Sequence, residues 1–193
     1  NVLDFKAYKP LVEAKYNATG ILNGTIASGK VTVANNTGIG ISGTTITGGT
    51  VTSYSNTNGI NNSTISGANT KIITYNNTYG INGGTISGGN IYTYNGSTGN
   101  TSVGIQGTTI TGGNIYANNN ECNGLYLVLV NGSNVVLEVK NNTTGQPNWF
   151  GISGSTIKNV KSLVRENNYN GINHSVLEVG VVVKGKGSST GWG

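Results

Sequence analysis

The pair Gly-Ile recurs along this chain at a nearly fixed interval. It stands at Gly20-Ile21, Gly40-Ile41, Gly59-Ile60, Gly80-Ile81, Gly104-Ile105, Gly151-Ile152 and Gly171-Ile172, and Gly124-Leu125 fills the remaining gap. Successive steps are 20, 19, 21, 24, 20, 27 and 20 residues. Five residues after each of these apolar residues comes a second one: Ile26, Ile46, Ile65, Ile86, Ile110, Val130, Ile157 and, less regularly, Leu177. Five more reach Val31, Val51, Ile91 and Ile115, with Ile72 displaced. A unit this short cannot bury its own apolar face, so the units must stack on one another.

The residue types decide what is stacked. Gly (32), Asn (31), Thr (25) and Ser (16) fill more than half of the 193 positions. Helical repeats of this length would need Ala, Leu, Glu and Lys instead. Thr, Val, Ile and Tyr between Gly and Asn give short strands joined by sharp corners. Low charge with a periodic apolar pattern excludes a disordered chain, and two Pro without a Gly-X-Y triplet exclude collagen. The longest apolar run, Leu125 to Val130, is too short to cross a bilayer, so no membrane span is expected. This pattern resembles a parallel β-helix, or β-solenoid, over about nine tenths of the chain. The resemblance implies an all-β rod of about eight coils around a thin Ile/Val column, right-handed by the rule for parallel crossovers. The five-residue step is also similar to the four-sided coil of pentapeptide-repeat proteins, with Ile or Val in place of their usual Leu or Phe.

The segment before each Gly-Ile is rich in asparagine: Asn35-Asn36, Asn56, Asn76-Asn77, Asn95, Asn118 to Asn120, Asn141-Asn142 and Asn167-Asn168. Asparagine tolerates left-handed backbone angles, and its amide can bond the copy one coil above, so these are corners. Both long insertions, near 97–102 and 143–150, fall at this corner; the second carries Pro147, Trp149 and Phe150. Residues 1–19 break the pattern and read as an irregular cap or a subunit-linking arm, leaving 20–193 as the solenoid.

The inventory of reactive groups is small. The acids are Asp4, Glu13, Glu121, Glu138, Glu166 and Glu178, with no pair held for acid–base work on a sugar and no Asp cluster for calcium. His174 and Cys122 have no partners at metal-ligand or nucleophile spacing. Gly83-Gly84 and Gly112-Gly113 lack the Lys-Ser/Thr of a phosphate loop. No catalytic residue, cofactor or metal site is expected, and the chain reads as a non-enzyme. The net charge of +5 comes from basic residues near the two ends, Arg165 among them, and Lys71 is the only charge between Val31 and Asn120. That distribution does not make a nucleic-acid surface. A start at Asn1, the lack of Met and a lone cysteine point to a processed, secreted chain without internal disulfides.

Three surface patterns remain. Thr45-Ile46-Thr47, Thr64-Ile65-Ser66, Thr85-Ile86-Ser87 and Thr109-Ile110-Thr111 turn hydroxyls outward when Ile turns in. Such ranks resemble those of ice-binding proteins. Tyr54, Tyr75 and Tyr94 form a ladder that would suit a carbohydrate-binding adhesin or fibre segment. Asn-x-Ser/Thr triplets begin at Asn17, Asn23, Asn35, Asn61, Asn62, Asn76, Asn95, Asn100, Asn131, Asn141, Asn142 and Asn173, marking candidate glycosylation sites. The ends carry the main expectation. Leu3, Phe5, Ala7, Tyr8, Leu11 and Val12 at one end, with Val179, Val181 and Val183 at the other, read as subunit-interface residues. The chain is thus expected to be a secreted structural protein at the cell surface or beyond. Its partners are copies of itself, joined head to tail into a filament by end-on stacking or strand donation. Ice binding through the Thr face is the alternative expectation.

Overall fold

The computed structural model describes residues 11–142, 150–166, 170–178 and 183–184. These residues are all-β, and their parallel strands stack into a β-solenoid of about seven turns, about 21 residues apart. Each coil carries three short strands. The first holds the Gly-Ile pair, as at Ile39–Ser42, and eight such strands stack into one sheet. The second is a Thr-Ile dipeptide, as at Thr45–Ile46. The third is a five-residue strand, as at Thr50–Tyr54. In the two coils containing Thr85–Tyr92 and Thr109–Tyr116, the second and third strands run together into one.

Register is kept along each face. Ile21, Ile41, Ile60, Ile81, Ile105, Leu125, Ile152 and Ile172 pair in succession as one column. A second column runs from Ile26 through Ile46, Ile65, Ile86, Ile110, Val130 and Ile157 to Leu177. The third runs from Val12 through Val31, Val51, Ile72, Ile91, Ile115 and Leu137 to Leu163 and Val183. Away from the two ends, the members of these columns are almost fully buried and form the core. Ile72 is in place despite its displaced sequence position. Two extra residues are taken up in a turn closed by Thr70 N–H on the Gly67 carbonyl at 3.1 Å, so the column does not shift.

The fourth five-residue step carries no strand. Its inward residue is an asparagine, and six of them stack at the corner: Asn36, Asn56, Asn77, Asn100, Asn120 and Asn142. Each of the first five donates its backbone N–H and its Nδ2 to the Oδ1 of the next. The side-chain bonds are 2.9 Å from Asn36 to Asn56, 3.0 Å from Asn56 to Asn77 and 3.1 Å from Asn77 to Asn100. The residue before the ladder position turns the chain through left-handed angles, as Asn35 (φ 54°), Asn76 (φ 53°) and Asn141 (φ 51°) do. The glycine of each Gly-Ile is fixed by space. A Cβ on Gly40 would lie 2.5 Å from the Gly59 carbonyl oxygen and 2.6 Å from Ser53 Oγ.

Two boundaries differ from the sequence reading. The excursion placed near 97–102 is a small hairpin of Tyr94–Asn95 and Thr98–Gly99, and the chain is back on the ladder at Asn100. Composition could not separate the inserted residues from the corner because both are Asn, Gly, Ser and Thr. At the amino end, Leu11–Lys15 is already the first strand of the third face, paired with Lys30–Ala34. Of the second insertion only Phe150 is described, at the start of Phe150–Ser153.

Candidate functional site

Among the described residues the acids do not converge. Glu13 pairs with Lys15 at 3.1 Å, Glu138 with Lys140 at 3.0 Å and Glu178 with Lys158 at 3.5 Å. Glu138 also accepts from Asn118 Nδ2 at 2.7 Å. The hydrogen bond that Lys140 donates to Glu138 raises the Lys140 pKa, against a smaller opposing effect of burial. Among the described residues no group of three His, Cys, Asp or Glu side chains gathers to hold a metal ion. Cys122 is half-buried, and burial pushes its thiol up, partly offset by a hydrogen bond from Ser102. His174 lies at an exposed turn with left-handed φ.

The flat faces are better organised. On the second face Thr25, Thr45, Thr64, Thr85 and Thr109 pair in succession, so their side chains form one outward rank at the spacing of parallel strands. The rank stops at Leu129 and resumes at Thr156. The third face gathers five tyrosines. Tyr54 stacks on Tyr75 with ring centroids 5.0 Å apart, and Tyr92 stacks on Tyr116 at 4.9 Å. Tyr94 meets Tyr92 edge-on at 6.0 Å, and Lys71 Nζ lies 5.5 Å from the Tyr92 ring centre. The single ladder through Tyr94 read from the sequence is therefore two stacks, with Tyr94 edge-on to the second of them. Facing rings in each stack cover one another, which leaves a sugar only their outer faces.

Arg165 is the anomaly of the interior. Its column on the third strand holds Ala14, Val33, Ser53, Thr74 and Val139. Arg165 is only 3% exposed there, and its Nε has no hydrogen-bond partner. A buried donor without an acceptor costs about 1–3 kcal/mol, and an apolar residue in its place removes that cost. Arg165→Val is expected to stabilise the protein by about 1–3 kcal/mol in urea unfolding.

The corner geometry sorts the glycosylation triplets. Asn100 and Asn142 are fully buried ladder members whose Nδ2 atoms are engaged by neighbouring groups. Asn17, Asn23, Asn35, Asn62, Asn76, Asn131 and Asn141 are exposed, while Asn61 and Asn173 are half-buried. Asn95 lies on the hairpin. The corner also accounts for much of the abundance of these triplets. In Asn35-Asn36-Thr37 and Asn76-Asn77-Thr78 the first residue makes the left-handed turn and the second is the ladder amide. The Thr N–H then bonds the previous coil, from Thr37 to Asn17 O at 2.9 Å and from Thr78 to Asn56 O at 3.2 Å.

The amino end of the rod is open among the described residues. Leu11 (66% exposed), Val12 (41%) and Leu22 (63%) stand at its rim. Val12, Ile21, Ile26, Ala27 and Val31 line a hollow of about 420 Å³ where the core columns stop. Of the interface residues expected from sequence, Leu11, Val12 and Val183 fall on the two outermost strands of the third face. Leu3, Phe5, Ala7, Tyr8, Val179 and Val181 lie outside the described residues. No helix among the described residues is long and apolar enough to cross a membrane. No protein-family model matches the chain, and no curated protein or solved structure matches it either.

Proposed function

We propose that this chain is a non-enzymatic structural subunit, secreted and assembled head to tail into an extracellular filament. The open amino end supports this reading most strongly. There, among the described residues, the core columns end on an apolar floor with an unpaired strand edge beside it, the arrangement that soluble sheet proteins cover or charge. Because every coil repeats the same inward columns, the carboxyl-terminal coil of one copy offers the surface that the first coil of another needs. Contacts between unlike ends build open polymers. Any N-linked glycans on such a filament would sit at the exposed triplets and leave Asn100 and Asn142 bare.

Ice binding is the second reading, favoured by the five-threonine rank on the second face. Sedimentation velocity over a wide concentration range separates the two. The filament reading expects mass that grows without a fixed limit as concentration rises. A monodisperse rod at all concentrations overturns it, and arrest of ice growth by that rod would establish the second reading in its place.

A further inference from the structure

The third face has an open edge at each end of the described rod. Among the described residues, Leu11–Lys15 pairs only with Lys30–Ala34, and Val183–Lys184 pairs only with Ser162–Glu166. We propose that these two edges are the halves of one junction. Leu11–Lys15 of one copy adds in parallel to Val183–Lys184 of the next, with Val12 falling on Val183 and Glu13 on Lys184. The inference rests on the filament reading and names the contact that reading requires.

Three observations fix this pairing. The first is column identity. Val12 begins and Val183 ends a single column whose other members are all Val, Ile or Leu, so the junction extends it without a change of residue type. The pairing also builds a further rung at the end where the apolar hollow is exposed.

The second is charge. In this register a glutamate of one copy stands opposite a lysine of the other, and opposite charges on neighbouring strands are favourable. A shift of one residue would place Val12 opposite Lys184 and break the apolar column as well.

The third is direction. Every described bond of the asparagine ladder points the same way, from each residue to the Oδ1 of the next coil. Asn17 begins this series by donating its N–H to Asn36 Oδ1 at 3.0 Å, and its Nδ2 bonds the Lys15 carbonyl. Among the described residues no donor reaches Asn17 Oδ1, which ends the series at the amino end. Two amino ends meeting head to head would oppose two such acceptors with no donor between them. A head-to-tail junction avoids this and keeps all strands parallel.

The full chain carrying Glu13→Cys, Lys184→Cys and Cys122→Ser tests the pairing under mild oxidation. Parallel neighbours lie about 4.8 Å apart, within the Cα separation that a disulfide accepts. A non-reducing gel should show a ladder of dimers, trimers and higher species, and either single cysteine should give none. A companion variant with Glu13→Cys and Val164→Cys places the cysteines one coil out of register and should stay monomeric on the gel, with circular dichroism confirming the fold. If the companion links and the first pair does not, the register is wrong. If sedimentation shows open-ended assembly and neither pair links, this junction fails while the filament reading stands. If nothing assembles, both fail.

Discussion

Replacing Asn77 by Ala is expected to cost the rod about 3–5 kcal/mol, a large part of what a domain of this size holds. Asn77 is fully buried, and its Oδ1 accepts both the backbone N–H and the Nδ2 of Asn56 at 3.0 Å. Its own Nδ2 donates to Asn100 Oδ1 at 3.1 Å and to the Ser53 carbonyl at 3.0 Å. Alanine removes all four bonds and strands the Asn56 N–H in a dry corner, and an unsatisfied buried donor costs about 1–3 kcal/mol by itself. Two further losses in a connected network bring the total into the stated range. The neighbouring Asn76→Ala is the internal control. Asn76 is exposed, so its replacement loses only asparagine's greater tolerance of left-handed angles, no more than about 1 kcal/mol, and Asn76→Gly should be close to neutral. Urea unfolding of the three variants should rank them in that order.

Gly40→Ala is expected to cost about 3 kcal/mol or more, although it adds a single methyl group. The added Cβ meets the Gly59 carbonyl oxygen at 2.5 Å, Ser53 Oγ at 2.6 Å and Asn56 Nδ2 at 3.0 Å. The first of these is backbone of the next coil, so the clash cannot be relieved by turning a side chain. The coils must separate, and separation weakens the ladder and the strand pairing together. At the hairpin tip, Gly96 has φ +62° and nothing within 4 Å of its would-be Cβ. Gly96→Ala therefore carries only the left-handed penalty, about 1–2 kcal/mol. Thermal unfolding in which Gly40→Ala melts well below Gly96→Ala would locate the close approach inside the coil.

These two sites show which parts of the fold could be read from sequence. The Gly-Ile pairs and their five-residue echoes gave the three apolar columns, because a buried β-branched residue at a fixed step has few other uses. The asparagine corner was legible as a class of residue but not by position. Neighbouring asparagines such as Asn76 and Asn77 have the same chemistry, yet one turns the chain in solvent and the other carries the ladder in the interior. Backbone angle and burial separate them, and neither is written in composition. Asn100 was hidden for the same reason, since the hairpin before it is built of corner residues. Arg165 was read as one of the basic residues near the carboxyl end. Only the pairing Val139↔Arg165 places it in an inward column. Nor did Leu11–Lys15 stand out, because a strand of alternating apolar and charged residues suits an arm as well as a first rung.

The filament reading depends on rods joining in one direction, and the proposed junction joins them through their third faces. Cryo-electron microscopy of the native assembly tests this most directly. Nine strands stack on that face, at about 4.8 Å each, which gives an axial rise of about 43 Å per subunit when Leu11–Lys15 continues from Val183–Lys184. The predicted result is an unbranched filament with this rise and every subunit pointing the same way. Filaments whose subunits alternate in direction, closed rings, or dispersed single rods at every concentration would contradict it.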